Sequence, residues 1–517
     1  MSFGKIKILA AAFVMAALSL FAAMPMGFAA ELVILHINDM HGRIASGDDR
    51  GKSIGLAQMS AAVKAIKAEN SDVLWLDAGD TFHGLPRITV STGENMIPLF
   101  KAMEIDGSTP GNHDFNYGTA QLKKLAGEAA CPIVSANVAI KGHEGEFLLP
   151  RYHIYELPDG LKVAVFGLTT PETAYKTNPN FVKDIVFLDP VEEAQKMIKE
   201  LRPKCDVLIA LMHMGVDPHS EITSERIAKE APGIDVIIDG HSHTELPEGI
   251  AVGETLIAQA GCYTHLLGRV TVDLDDNKKI TAKRAELMDG AALKKIAPAP
   301  DPKVLRVMEE IERKNSKILD KVVATSDMDL PFNIGLIRTK ETEVGNFVAD
   351  AMRFVSAADV AIVNAGSIRG SLSKGKVTRG ELLNMCPFGN IVERTESDGA
   401  TLRKALENSV AHYPQPVGSL AQVSGLEFTF DPALPPGKRV LEVKVGGKPL
   451  DDKRIYILTA TDFMLAGGDG YTMLKSLPIT GVFGTMDEVL AKYLSQKTPE
   501  KTELNRIKMT EATASRR

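Results

Sequence analysis

Five short apolar runs constrain this chain more than any other feature. They are LVILHI (32–37), VLWLD (73–77), KVAVFGL (162–168), DVLIALM (206–212) and DVIID (235–239). Runs of this length, rich in β-branched and aliphatic residues, suit strands buried on both faces. Between them lie segments at helical period, such as GLAQMSAAVKAIKAEN and DPVEEAQKMIKELRP. Strands alternating with helices predict an α/β domain with a largely parallel sheet. The segment APAPDPKVLRVMEEIERKNSKILD opens on a proline-rich break and then runs at helical period. Ala297–Pro302 is therefore read as a domain edge. This gives a first domain over 30–300, a linking helix over 301–322 and a second α/β region over 323–517, which suits a chain of 517 residues.

The first 29 residues read differently. Lys5 and Lys7 precede a long apolar stretch that ends in small residues, the pattern of a secretory signal peptide, with cleavage expected after Ala29. The expected product is exported, periplasmic or secreted. Without Lys5 and Lys7 the 59 basic residues become 57 against 66 acidic ones, a net charge of −9. That sign gives no electrostatic support for binding a nucleic-acid duplex or an anionic membrane. No later run reaches the roughly 18 apolar residues of a membrane span, and the C-terminus EATASRR is polar, so no stable membrane anchor is expected. The sequence leaves the oligomeric state open. Cys131, Cys205, Cys262 and Cys386 are scattered and contain no C-x-x-C, so they offer either one or two disulfides or buried free thiols, and no cysteine zinc site.

The apolar runs are followed by strong metal ligands. LVILHINDMHGR supplies Asp39 and His41, VLWLDAGD supplies Asp80, and TPGNHDFNYG supplies Asn112 beside His113. DVLIALMHMG supplies His213, and DVIIDGHSH supplies His241 and His243. Ligand sites in α/β sheets form beyond the carboxyl ends of the strands, so this repeated placement points to one shared site. Imidazole with carboxylate suits zinc, manganese or iron. Seven candidates exceed the needs of one tetrahedral ion and suit two divalent ions sharing a carboxylate. His83, His143, His153, His219, His265 and His412 fall outside this order and are read as surface or packing residues.

In the order D-x-H, G-D, G-N-H-D, H, H-x-H, the chain resembles the 5′-nucleotidase family of calcineurin-like metallophosphoesterases, above all the bacterial periplasmic enzymes. The resemblance implies a four-layer αββα sandwich followed by a C-terminal α/β nucleotidase domain. It implies one ion on Asp39, His41, Asp80 and His243, and a second on Asp80, Asn112, His213 and His241, with Asp80 as the bridge. It also implies that His113 is no ligand but faces the scissile phosphate.

The second half supplies RTKETEVGNFVADAM, VNAGSIRG, CPFGN and TDFMLAGGDGY. Arg338 and Arg369 have the fork geometry for phosphate or ribose oxygens. Phe388 and Phe463 lie in Gly- and Pro-rich loops, where two rings can sandwich a base. Asn364 and Asp469 offer partners for ribose hydroxyls. The resemblance implies those roles for the two phenylalanines and Asp469. Arg43, just after His41, is a further phosphate-side candidate.

The expected reaction is attack on phosphorus by a water that the two ions activate, with His113 stabilising charge or protonating the leaving group. The nucleotidases that match best carry aspartate three residues after that histidine; here Asn116 stands there. Its amide oxygen is expected to accept a bond from the His113 imidazole and fix its tautomer, while raising the pKa less than a carboxylate would. Asp114 is a possible substitute partner. Relatives that open 2′,3′-cyclic nucleotides resemble the chain at GNH-acid-FNYG. The first expectation is hydrolysis of nucleoside 5′-monophosphates. The second is 2′,3′-cyclic phosphodiesterase with 3′-nucleotidase activity, or nucleotide-sugar hydrolysis. A nucleotide-binding protein without catalysis is the alternative from another class. A metal domain joined to a base clamp also implies closure on substrate, with a hinge near Lys303–Val323.

Overall fold

The computed structural model describes residues 30–218, 220–497 and 504–510, so the signal-peptide expectation and His219 lie outside the described residues. Two sheets form the centre of the first half. One runs in the order Ile280–Met288, Leu267–Leu274, Ala30–Ile37, Val73–Asp77, Gly107–Ser108. The other runs in the order Ile250–Val252, Thr255–Ala258, Val236–Ile238, Val207–His213, Lys162–Thr169, Tyr152–Glu156. Ala30–Ile37 pairs in parallel with Val73–Asp77, and Val207–His213 in parallel with both Lys162–Thr169 and Val236–Ile238.

The period of two along each strand sorts side chains between layers. Leu32 and Ile34 meet Val163, Val165, Ile209 and Leu211 in the core between the sheets. Val33, Leu35 and Ile37 point the other way, into a core with the helices Leu56–Glu69 and Met96–Met103. Phe166, Leu168, Leu208 and Met212 face outward from the second sheet toward the helix Pro190–Leu201. Helix, sheet, sheet, helix is the four-layer order expected. Asp189 starts that last helix, its carboxylate accepting from the backbone N–H of Val191 and Glu192, as an N-cap should.

The linking helix Pro302–Leu319 is capped by Asp301, which accepts from Lys303 N–H at 2.8 Å. Val304 and Ile311 bury against the first half, and Asn315 donates to the Arg87 carbonyl at 2.8 Å. The second half is built on a sheet ordered Ala421–Ser424, Val360–Asn364, Ile455–Thr461, Ile391–Asp398, Ile479–Thr485. The helix Glu343–Ser356 contributes Val344, Phe347, Val348 and Met352 to its core. All four cysteines are unpaired, with Cys131 and Cys386 buried. Among the described residues no helix is long and apolar enough to cross a membrane.

Candidate active site

The candidate ligands sit where strands end and the chain turns sharply. Asp39, His41, Asp80, His241 and His243 all adopt φ between 45° and 75°. For a residue with a side chain this left-handed conformation costs roughly 1 kcal/mol or more. Five such residues around one point mark a site whose surroundings impose its geometry. Two glycines allow the crowding. A Cβ on Gly111 would overlap the Asp80 carboxylate, and one on Gly240 would lie 2.8 Å from His213 Nδ1 and 2.9 Å from Asp39 Oδ2.

Asp39, His41 and His243 form one group whose ligand atoms lie within 4.8 Å of one another, and Asp39, Asp80 and His213 form a second. Asp80 Oδ2 lies 3.6 Å from His41 Nε2 and 3.3 Å from His213 Nε2, so both aspartates reach across the two groups. His41 Nε2 and His243 Nε2 are 3.3 Å apart. His213 donates from Nδ1 to the Ala78 carbonyl at 2.7 Å, which turns Nε2 inward. Among the described residues, that Nε2 and Asp39 Oδ1 are buried facing other ligand atoms, Asp80 Oδ2 at 3.3 Å and His243 Nε2 at 3.2 Å, without a well-directed hydrogen bond. Asn112 Oδ1 meets His241 Nδ1 at 2.9 Å, on the His213 side of the cluster.

Burial alone would push His213 down, but Asp80 and Asp39 overcome it and hold its pKa at about 10. Burial opposes His243 in the same way, and Asp39 holds it well above the ordinary range. Two buried carboxylates thus draw positive charge onto neighbouring imidazoles. Unsatisfied acceptor atoms, oxygen and nitrogen donors and a demand for positive charge together fit divalent cations.

His113 stands at the rim, its backbone N–H on Asp80 Oδ1 at 2.8 Å. Burial, with Arg369 adding to it against the pull of Asp80, lowers its pKa to about 4. Asn116 does meet this ring, but with the opposite end from the one expected. Its Nδ2 lies 3.0 Å from His113 Nδ1, while its Oδ1 faces the Thr177 hydroxyl at 3.5 Å. The amide therefore donates, and the ring proton of His113 belongs on Nε2. Asp114 is no substitute partner. Its two oxygens accept the backbone N–H groups of Asp80, Thr81, Phe82 and Gly111, locking the two ligand loops together.

From the second half, Arg369 stands with its guanidinium 5.2 Å from the Phe388 ring centre and donates to the Gly366 carbonyl. Burial and the nearby Arg338 push its pKa down to about 10, and burial lowers Arg338 too. The Asp469 carboxylate offsets part of this positive charge at both arginines. Asn364 and Asp469 bond to each other at 2.7 Å, with Asp469 at φ 50°. The two phenylalanines are placed differently. Phe463 is 7 % exposed and lies against Gly468, whereas Phe388 stacks on His83 and sits 5.6 Å from the His113 ring. Arg43 lies over the Tyr263 ring at 4.0 Å and donates to the His41 carbonyl.

Two parts of the site lie outside the sequence motifs. His83, a packing residue by its place in the sequence, is buried at the junction of the halves with Nε2 3.2 Å from the Pro387 carbonyl. The segment Glu172–Asn178 belongs to none of the motifs. Glu172 faces His241, Thr177 donates to the Asn112 carbonyl at 2.6 Å, and Asn178 donates to Asp462 at 2.8 Å across the junction. It follows the strand Lys162–Thr169, and that position at a strand end is the signal the sequence holds for it.

Comparison with known proteins agrees with this arrangement. Residues 32–245 match the calcineurin-like phosphoesterases, and residues 322–476 match the C-terminal domain of 5′-nucleotidase. The 5′-nucleotidase of Vibrio cholerae is 30% identical over 517 residues, covering 91% of each chain. The trifunctional nucleotide phosphoesterase protein YfkN of Bacillus subtilis is 32% identical over 493 residues; the match takes in 86% of this chain and 32% of that longer relative. The solved structure of a 5′-nucleotidase precursor from Thermus thermophilus superposes with a TM-score of 0.77 at 28% identity, covering 93% of this chain and 99% of that one.

Proposed function

Since the chain belongs to the 5′-nucleotidase family and is a metal-dependent phosphoric ester hydrolase, we propose that it is exported and hydrolyses nucleoside 5′-monophosphates to nucleoside and phosphate. The observation that carries this reading is a convergence across the junction of the halves. The Asp39–Asp80 cluster and His113 come from one side, and Arg338, Arg369 and Phe388 come from the other.

In this reading Asp39, His41, Asp80 and His243 hold one divalent ion, and Asp80, Asn112, His213 and His241 hold a second. Bound ions of this kind supply Lewis acidity toward phosphate oxygens and lower the pKa of water from 15.7 to about 7. The chain's own residues do the rest. Arg338 and Arg369 receive the phosphate dianion with charge-assisted, forked bonds. Neutral His113, its Nδ1 occupied by the Asn116 amide, donates a hydrogen bond from Nε2 to a phosphoryl or leaving-group oxygen and stabilises the charge that grows there. Asn364 and Asp469 take the ribose, and Phe388 and Phe463 the base. The linking helix is docked on the first half as far as Asn315, so the halves part for substrate entry beyond it, near Asp320.

A second reading is favoured by the stretch GNHDFNYG, at which the chain resembles relatives that open cyclic nucleotides: hydrolysis of 2′,3′-cyclic and 3′-nucleotides in the same site. Turnover of AMP, 3′-AMP, 2′,3′-cyclic AMP and UDP-glucose, each with and without chelator, tests both. Metal-dependent release of phosphate fastest from AMP supports the first reading. Preference for the cyclic or 3′-esters supports the second, and no turnover of any of them defeats both.

A further inference from the structure

The imidazole of His241 is held from both sides. Its Nδ1 lies 2.9 Å from Asn112 Oδ1, within the ligand cluster. Its Nε2 points away from the cluster and lies 2.9 Å from Glu172 Oε2. That carboxylate is itself fixed. Its side chain is 13% exposed, and the Lys176 ammonium, one helical turn on, binds the same oxygen at 2.6 Å. Glu172 stands at the start of the short helix Thr173–Lys176, in the loop that follows Lys162–Thr169. That strand lies beside Val207–His213, which ends in another ligand, so Glu172 comes to His241 at the strand ends. The same segment ties down the rest of this half-site, with Thr177 on the Asn112 carbonyl.

We infer that Glu172 is a positioning residue for the His241 half-site: it accepts the Nε2 proton of His241 and so leaves the Nδ1 lone pair, turned toward Asn112, free for a divalent ion. The inference rests on the two-ion reading above. An imidazole has one proton to place when neutral, and the hydrogen bond at one nitrogen decides which nitrogen can ligate. A carboxylate behind a ligating histidine also raises its basicity, and loss of such partners typically weakens metal binding 10–100-fold. Lys176 holds the Glu172 carboxylate in place through that oxygen, and its ammonium lies 3.4 Å from His241 Nε2, farther than the 2.9 Å of the carboxylate. His213, the other imidazole of this half-site, is fixed by the Ala78 carbonyl instead. Two ligands of one ion are thus oriented by unlike partners, one of them supplied by a segment that also contacts the second half through Asn178.

The test is Mn²⁺ titration of full-length wild type, Glu172→Ala and Glu172→Gln, with bound ion counted from the electron paramagnetic resonance of free Mn²⁺. Expected for the wild type is two ions per chain. Glu172→Ala is expected to keep one site unchanged and to weaken the other about 10–100-fold. Glu172→Gln keeps an acceptor oxygen without the charge and should fall between them. At saturating Mn²⁺ the kcat of Glu172→Ala with AMP should recover most of its loss, with KM unchanged. Two unaltered dissociation constants in both variants, in a wild type that binds two ions, overturn the role of Glu172 alone. A wild type that binds fewer than two ions overturns the two-ion reading and this inference with it.

Discussion

The imidazole of His83 lies face to face with the ring of Phe388, with centroids 5.1 Å apart and planes 6° apart. One ring comes from the loop after Val73–Asp77 and the other from the second half, so this pair is a seam between the halves. A nucleobase that stacks on this face of Phe388 must first displace His83. Aromatic pairs of this kind are worth about 0.5–1.5 kcal/mol. His83→Ala should therefore lower KM for AMP about two- to tenfold while leaving bound metal unchanged. Steady-state kinetics with metal analysis checks it, and a raised KM would show that His83 assists the base instead of competing with it.

Removing the metal should affect more than turnover. Without cations, Asp39 and Asp80 must rely on His213 and His243 for compensation, and five left-handed residues stand around that charge. A ligand that binds only the folded chain stabilises it by about 2.7 kcal/mol at a concentration one hundred times its Kd. Dialysis against a chelator should abolish AMP hydrolysis and lower Tm, and Mn²⁺ or Zn²⁺ should restore both. Full activity after chelation, in protein shown to be metal-free, would contradict the proposed chemistry.

Much of this is legible from local pattern. The alternation in LVILHI sends Leu32 and Ile34 one way and Val33 and Leu35 the other, as a strand between two layers requires. The ligands are legible because each follows such a run. What stays hidden depends on partners remote in sequence. The amide of Asn116 has nitrogen and oxygen ends of nearly equal shape, and it is Thr177 that faces the oxygen. Glu172 is one acidic residue in a turn, and nothing near it in sequence announces His241, 69 residues away. The contact of Phe388 with His83 depends on how two separate cores dock, which no local period encodes.

Asn116 meets His113 at Nδ1, and its replacement gives a signed result. Burial is the first cause that lowers the His113 pKa to about 4, and the Asn116 amide donor leaves Nδ1 no room for a proton. In Asn116→Asp a carboxylate replaces that donor, accepts a proton from Nδ1 and favours imidazolium. An opposite charge this close raises a histidine pKa by about 1–3 units. The limb of the kcat/KM–pH profile governed by His113 should move to higher pH by about that amount. Profiles measured at saturating metal for both proteins decide it, and superimposable curves would remove the contact from the mechanism.

His36 gives a pH effect on stability remote from turnover. It is fully buried, neither ring nitrogen has a hydrogen-bond partner among the described residues, and burial pushes its pKa down to about 3. The opposite strand makes room with Gly268, where a Cβ would overlap the ring. In the unfolded chain the same histidine titrates near its ordinary value of about 6.5. Between about pH 3 and 6.5 the unfolded state therefore binds one more proton, and stability falls as pH drops through that window, by up to about 1.4 kcal/mol per unit. Above about pH 6.5 this group contributes no pH dependence. His36→Leu removes the proton and keeps an apolar side chain of similar size. Relative to wild type, the variant should gain about 2 kcal/mol on going from pH 7.5 to pH 5, read from urea unfolding at both values. An equal difference at the two pH values would mean that His36 does not stay neutral in the folded protein.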